Sequence, residues 1–178
     1  LPGEGDGQTK FVTVLEDEIA MARLFEAFLR NFLQVEQDRF YVSAAHIPWS
    51  VEAELESDLQ YIPTMRTVIT LVSDSEVIVI DAKFYRRILH RFHGASPKLR
   101  SGHLYQMQSY LRHTREIYGD NVNGVLLYAS TGEGELSLRY TLAGLPLQVR
   151  TLDLDRPWKE IASNILNVVK ASAEWPTQ

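Results

Sequence analysis

Asp81 and Lys83 lie two residues apart at the end of the run Val77-Ile78-Val79-Ile80-Asp81-Ala82-Lys83. The run has the branched, apolar character of a buried strand, along which side chains alternate between faces. It therefore aims a carboxylate and an amine the same way, an oxygen donor for a cation beside a positive charge. Ser73-Asp74-Ser75-Glu76 separates this run from a second one, Met65–Val72, and the pair reads as a hairpin. With the turn centred between Asp74 and Ser75, Val72 faces Val77, Thr70 faces Val79, Val68 faces Asp81 and Arg66 faces Lys83. Directly opposed side chains have Cβ atoms roughly 4.5–5.5 Å apart, so a carboxylate at position 68 would clamp a divalent metal together with Asp81. The residue there is Val68. An ordinary ion pair at a strand end is the plainer account of Asp81 and Lys83.

Other chemistry-bearing residues stand elsewhere in the chain. Gln106 and Tyr110, four apart, project from one side of a helix, where they could also be packing residues at the core boundary. Glu26 lies among Phe25, Phe28 and Leu29 at the edge of an apolar helical face, or is simply solvated there. From Ala82 to Arg115 there is no Asp or Glu, while Arg86, Arg87, Arg91, Lys98 and Arg100 cluster within that span. Such a block can present a positive surface to a phosphate backbone even on a chain of net charge −5, or it can be a solvated face. The histidines of this block lack zinc-ligand spacing and are expected at the surface. Cysteine is absent, which excludes disulfides and thiolate metal sites and fits the cytoplasm.

The elements that must position these groups follow from periodicity. Residues 1–9, Gly-rich and polar, read as a flexible tail or linker, with residues 10–178 as one folded unit. Apolar residues at helical spacing (Ile19, Ala22, Phe25, Leu29, Phe32) predict a helix from Glu16 to about Val35. A short strand is expected at Phe40–Ala45 and an acidic helix at Glu52–Gln60. After the hairpin come a basic loop to Gly102, a helix over Leu104–Tyr118, and strands at Gly124–Ala129, Glu135–Leu142 and Leu147–Leu152. Pro157 opens a last helix reaching about Ala171. The order predicts an α/β domain with a mixed sheet. With 45% hydrophobic residues, no apolar run approaches the roughly 20 residues of a membrane span, and no membrane partner is expected.

Three stretches, "YIPTMRTVITL", "VIVIDAKFY" and "HLYQMQSYL", resemble the McrC nuclease subunits of McrBC-type restriction systems, and more broadly the PD-(D/E)xK nuclease superfamily. Pro63, Asp81-Ala82-Lys83 and the Gln-x-x-x-Tyr pair Gln106 and Tyr110 match the family pattern in order. Val68 departs from it, since the family has Asp there. The resemblance implies a restriction-endonuclease-like mixed central sheet flanked by helices, and metal-dependent hydrolysis of DNA in a GTP-dependent system directed at 5-methylcytosine. By that resemblance Asp81, the Ala82 carbonyl and Glu26 would hold Mg²⁺, or Mn²⁺ in its place. Lys83 would orient or deprotonate the attacking water or stabilise the phosphate, and Gln106 and Tyr110 would orient the metal site or the DNA backbone. The expected partners are DNA and an McrB-like AAA+ GTPase motor. The chain has no Gly-x-x-x-x-Gly-Lys-Ser/Thr loop, so it is not expected to bind nucleotide itself. Val68 keeps a second reading open: a catalytically inactive nuclease fold serving as a DNA-binding or assembly module.

Overall fold

The computed structural model describes residues 5–44, 46–47, 49, 51–63, 65–66, 69–84, 98–130 and 135–170. The long helix α1 (Gly5–Glu36) leads into strands β1 (Tyr41–Ser43) and β2 (His46–Ile47), then a 3₁₀ turn at Glu56–Tyr61. Strands β3 (Met65–Arg66), β4 (Ile69–Val72) and β5 (Val77–Phe84) precede helix α2 (Ser101–Tyr118). Strands β6 (Val122–Ser130), β7 (Ser137–Leu142) and β8 (Leu145–Asp153) follow, and helix α3 (Trp158–Lys170) closes the described chain. A six-stranded sheet has the order β1-β4-β5-β6-β8-β7, and β2 and β3 form a small separate ribbon. The central strands β5, β6 and β8 are mutually parallel, whereas β1–β4, β4–β5 and β7–β8 pair antiparallel. The expected mixed α/β architecture is present.

Strand alternation divides the core in two. On one sheet face, Ile69, Leu71, Ile78, Ile80, Val125 and Leu127 pack with Phe25, Leu29 and Leu33 of α1 and with Ile161 and Ile165 of α3. On the other, Val77, Val79, Leu126, Tyr128 and Val149 pack with Met107, Tyr110 and Leu111 of α2. Strand β5 is buried from Val77 to Ala82, because helices cover both of its faces. Each fully buried Leu or Ile contributes roughly 1.5–3 kcal/mol.

Helix α2 comes close to the sheet because residue 124 has no side chain. A Cβ on Gly124 would lie 3.0 and 3.1 Å from the methyl carbons of Leu111 and 3.1 Å from Met107 Sδ. The β4–β5 turn is held by Ser73, whose amide donates to the Glu76 carbonyl at 3.0 Å and whose Oγ accepts from the Glu76 amide at 3.1 Å. The β7–β8 hairpin turns through Ala143 and Gly144, both at positive φ (53° and 80°), the conformation a two-residue type I′ turn requires.

Two elements differ from the sequence reading. Helix α1 starts at Gly5, so residues 5–9 of the expected linker lie in its first turns, and residues 1–4 fall outside the described residues. A helix already nucleated extends through a glycine at a cost of about 1 kcal/mol, less than starting a new one. At 32 residues α1 is about 48 Å long, and the residues it is shown to bury in the core run from Phe25 to Leu33. Ile19, expected in the buried stripe, is accordingly 54% exposed. The acidic segment forms only the 3₁₀ turn, with every residue from Val51 to Pro63 exposed, because no partner surface covers an apolar stripe there among the described residues. No described helix is long and apolar enough to cross a membrane.

Candidate active site

The hairpin register determines where Asp81 points. Ile69↔Ile80, Thr70↔Val79, Leu71↔Ile78 and Val72↔Val77 are the observed pairs, as the turn placement predicts. Odd-numbered residues of β5 therefore face α2, and Asp81 and Lys83 share that face with Val77 and Val79. Position 68 lies outside the described residues.

Four of the expected residues meet. The Lys83 ammonium lies 2.9 Å from Asp81 Oδ2. It also donates to Gln106 Oε1 at 2.7 Å, and Gln106 Nε2 donates to the Tyr110 hydroxyl at 2.9 Å. The contact with Lys83 occupies the amide oxygen and that with Tyr110 the amide nitrogen, so the Gln106 amide has one workable orientation. Gln106 and Tyr110 are consecutive-turn neighbours on α2, and β5 supplies the other two, so helix and strand are joined by one polar chain. Gln106 itself is exposed, which leaves one flank of the chain open to solvent.

Electrostatics sets this group apart from a surface ion pair. Asp81 is fully buried, and Oδ1 accepts no hydrogen bond from the described residues. Burial pushes its carboxyl above the usual carboxylate range; Lys83 opposes this by charge and hydrogen bonding, and the nearby Glu26 carboxylate adds to it. Tyr110 is likewise pushed up by burial and then by the Asp81 charge, with the Gln106 hydrogen bond acting the other way and Glu26 adding a smaller push. Glu26, from α1, thus belongs to the same electrostatic neighbourhood although it makes no direct bond to the chain of four. Ala82, between the two charged residues, is buried with its side chain in the opposite core.

The remaining expectations divide. Arg86, Arg87 and Arg91 lie outside the described residues. Lys98 is exposed and lines a cavity of about 530 Å³ with Leu99, Leu104, Leu138 and Leu142, a cavity that includes none of the four networked residues. Arg100 caps the start of α2, its carbonyl accepting from the His103 amide at 3.1 Å. Among the described residues no group of three or more His, Asp or Glu side chains is placed to hold a metal. Asp81 Oδ1 is an orphaned buried carboxylate oxygen, the kind of hard donor that a hard cation would satisfy, and Glu26 is near enough to act on its charge.

His103 corrects an expectation. It was expected at the surface but is buried, with Nδ1 2.7 Å from the hydroxyl of the fully buried Tyr128. It lies on the buried stripe of α2 with Met107, Tyr110, Leu111 and Thr114, which the spacing His103, Met107, Tyr110, Thr114 could have signalled. Tyr128 had no such signal, because only strand pairing places it beside Lys83.

Comparison with known proteins gives two similarities. A family model described as McrBC 5-methylcytosine restriction system component matches residues 2–129. The curated protein "Type IV methyl-directed restriction enzyme EcoKMcrBC" of Escherichia coli (strain K12) is 27% identical over 168 residues, which is 94% of this chain and 48% of that protein. The chain thus spans about half the length of the curated relative it matches.

Proposed function

The chain belongs to the McrBC 5-methylcytosine restriction system component family, and from that premise we propose that it is a DNA endonuclease domain built on the PD-(D/E)xK plan. The observation that supports this most is the buried Asp81–Lys83 pair tied through Gln106 to Tyr110. An isolated structural ion pair needs neither an orphaned carboxylate oxygen nor an amine fixed by a second, solvent-open amide. The substrate would be DNA bearing modified cytosine, chosen by a GTP-hydrolysing AAA+ motor partner, with Arg86, Arg87, Arg91, Lys98 and Arg100 as candidate phosphate contacts.

Asp81, Glu26 and the Ala82 carbonyl would hold Mg²⁺ or Mn²⁺. The metal would supply an activated water and neutralise charge developing on the scissile phosphate. Lys83 keeps its ammonium beside Asp81, where it can donate to the attacking water and stabilise negative charge on phosphate oxygens; acceptance of that water's proton would require the neutral amine. Gln106 restrains that ammonium, and Tyr110 restrains Gln106. Val68 offers no oxygen where the family has a carboxylate, so metal affinity and cleavage are expected to be weak in this chain.

The test is Mg²⁺- or Mn²⁺-dependent nicking of plasmid DNA by this chain and by Val68→Asp, each alone and with the motor subunit. Little or no cleavage by the chain and clear nicking by Val68→Asp are expected. A Val68→Asp protein that neither binds metal nor cuts under any of these conditions removes the nuclease reading. DNA binding without cleavage in both proteins favours the second reading that Val68 itself motivates, an inactive nuclease fold retained for DNA binding or assembly.

A further inference from the structure

His103 and Tyr128 form a second crossbar between α2 and the sheet, next to the one made by Gln106 and Lys83. Tyr128 on β6 pairs in register with Lys83 on β5, so the two side chains leave adjacent strands on the same face. His103 and Gln106 stand one turn apart on α2. The histidine Nδ1 meets the tyrosine hydroxyl at 2.7 Å, with ring centroids 5.7 Å apart, and the Gln106–Lys83 bond is of equal length, 2.7 Å. Both crossbar residues are buried polar groups beside the Asp81–Lys83–Gln106–Tyr110 chain in a largely apolar layer, where a directional bond adds an orientation that apolar packing alone does not specify. We infer that His103 and Tyr128 are positioning residues: their bond sets the rotation and height of the first turns of α2, and so the point at which Gln106 restrains the Lys83 ammonium. The catalytic consequence rests on the nuclease reading; the geometric one does not.

The test uses Tyr128→Phe, His103→Leu and the conservative His103→Asn, whose amide can replace Nδ1 at the same distance from the backbone. Tyr128→Phe removes one oxygen and keeps the ring, so the test survives if His103→Leu fails to fold. The rate at which a small amine-reactive ester acylates Lys83 is followed by mass spectrometry, with the exposed Lys98 and Lys170 as internal references. Lys83 is expected to react several-fold faster in Tyr128→Phe and His103→Leu and at the parental rate in His103→Asn. In the Val68→Asp background with Mg²⁺, the same two substitutions are expected to lower kcat roughly 10- to 100-fold while KM for plasmid DNA moves less than about twofold. Parental Lys83 reactivity in folded Tyr128→Phe overturns the inference. Faster acylation without any cleavage by Val68→Asp supports the positioning role and counts against the nuclease reading alone.

Discussion

Replacing Lys83 by Met would remove the cation that, among the described residues, pairs with the fully buried Asp81 carboxylate. At 2.9 Å and an effective dielectric of about 20, the charge–charge attraction is at most about 6 kcal/mol. Desolvation of both groups offsets part of it, so the expected loss of stability at pH 8 is about 3–5 kcal/mol, as for other broken buried pairs. The loss should depend on pH in a definite direction. Because burial outweighs Lys83, the native Asp81 carboxyl already binds its proton more tightly than in the unfolded chain. Its contribution to stability is therefore fully present below the unfolded value of about 3.9 and is lost as pH rises through the native value. Removing Lys83 raises the native value further and extends that window upward. The penalty of Lys83→Met should thus be greatest at pH 8 and smaller at pH 4.5, because uptake of a proton by the carboxyl relieves it as pH falls. Urea unfolding of the parent, Lys83→Met, Asp81→Asn and the double variant at both pH values supplies the coupling energy directly. Equal losses at the two pH values, or a coupling below about 0.5 kcal/mol at pH 8, would show that the pair does not govern the buried carboxylate.

Three further outcomes follow from the geometry. Gly124→Ala should destabilise by about 1–3 kcal/mol in thermal or urea unfolding, because Leu111 and Met107 must retreat from a Cβ at 3.0–3.1 Å; a neutral result would mean that α2 is not held in close contact there. Ala143→Gly should raise stability by about 0.5–1 kcal/mol by relieving the positive φ of the turn, and a loss would contradict the turn geometry. Mn²⁺ binding by Val68→Asp, followed by calorimetry, should strengthen as pH rises from 5 to 8 with proton release, since a protonated Asp81 cannot serve as a ligand, and should disappear in Asp81→Asn; affinity independent of pH would remove Asp81 from the metal site.

Local chemistry in the sequence determined most of the elements and four members of the candidate site. Ser73-Asp74-Ser75-Glu76 could only be a turn between two apolar strands, and the turn set a register that placed Asp81 and Lys83 on one face. Gln106 and Tyr110 were readable through the Gln-x-x-x-Tyr resemblance, and their spacing of four put them on one side of a helix. The order of strands was decided by tertiary structure alone. Placing β6 beside β5 brings Tyr128, 45 positions along the chain, against Lys83, and no local periodicity encodes that neighbour. The burial of His103 and the exposure of Ile19 were settled the same way: both depend on which surface a helix face meets, and a residue's own type and spacing do not specify that surface.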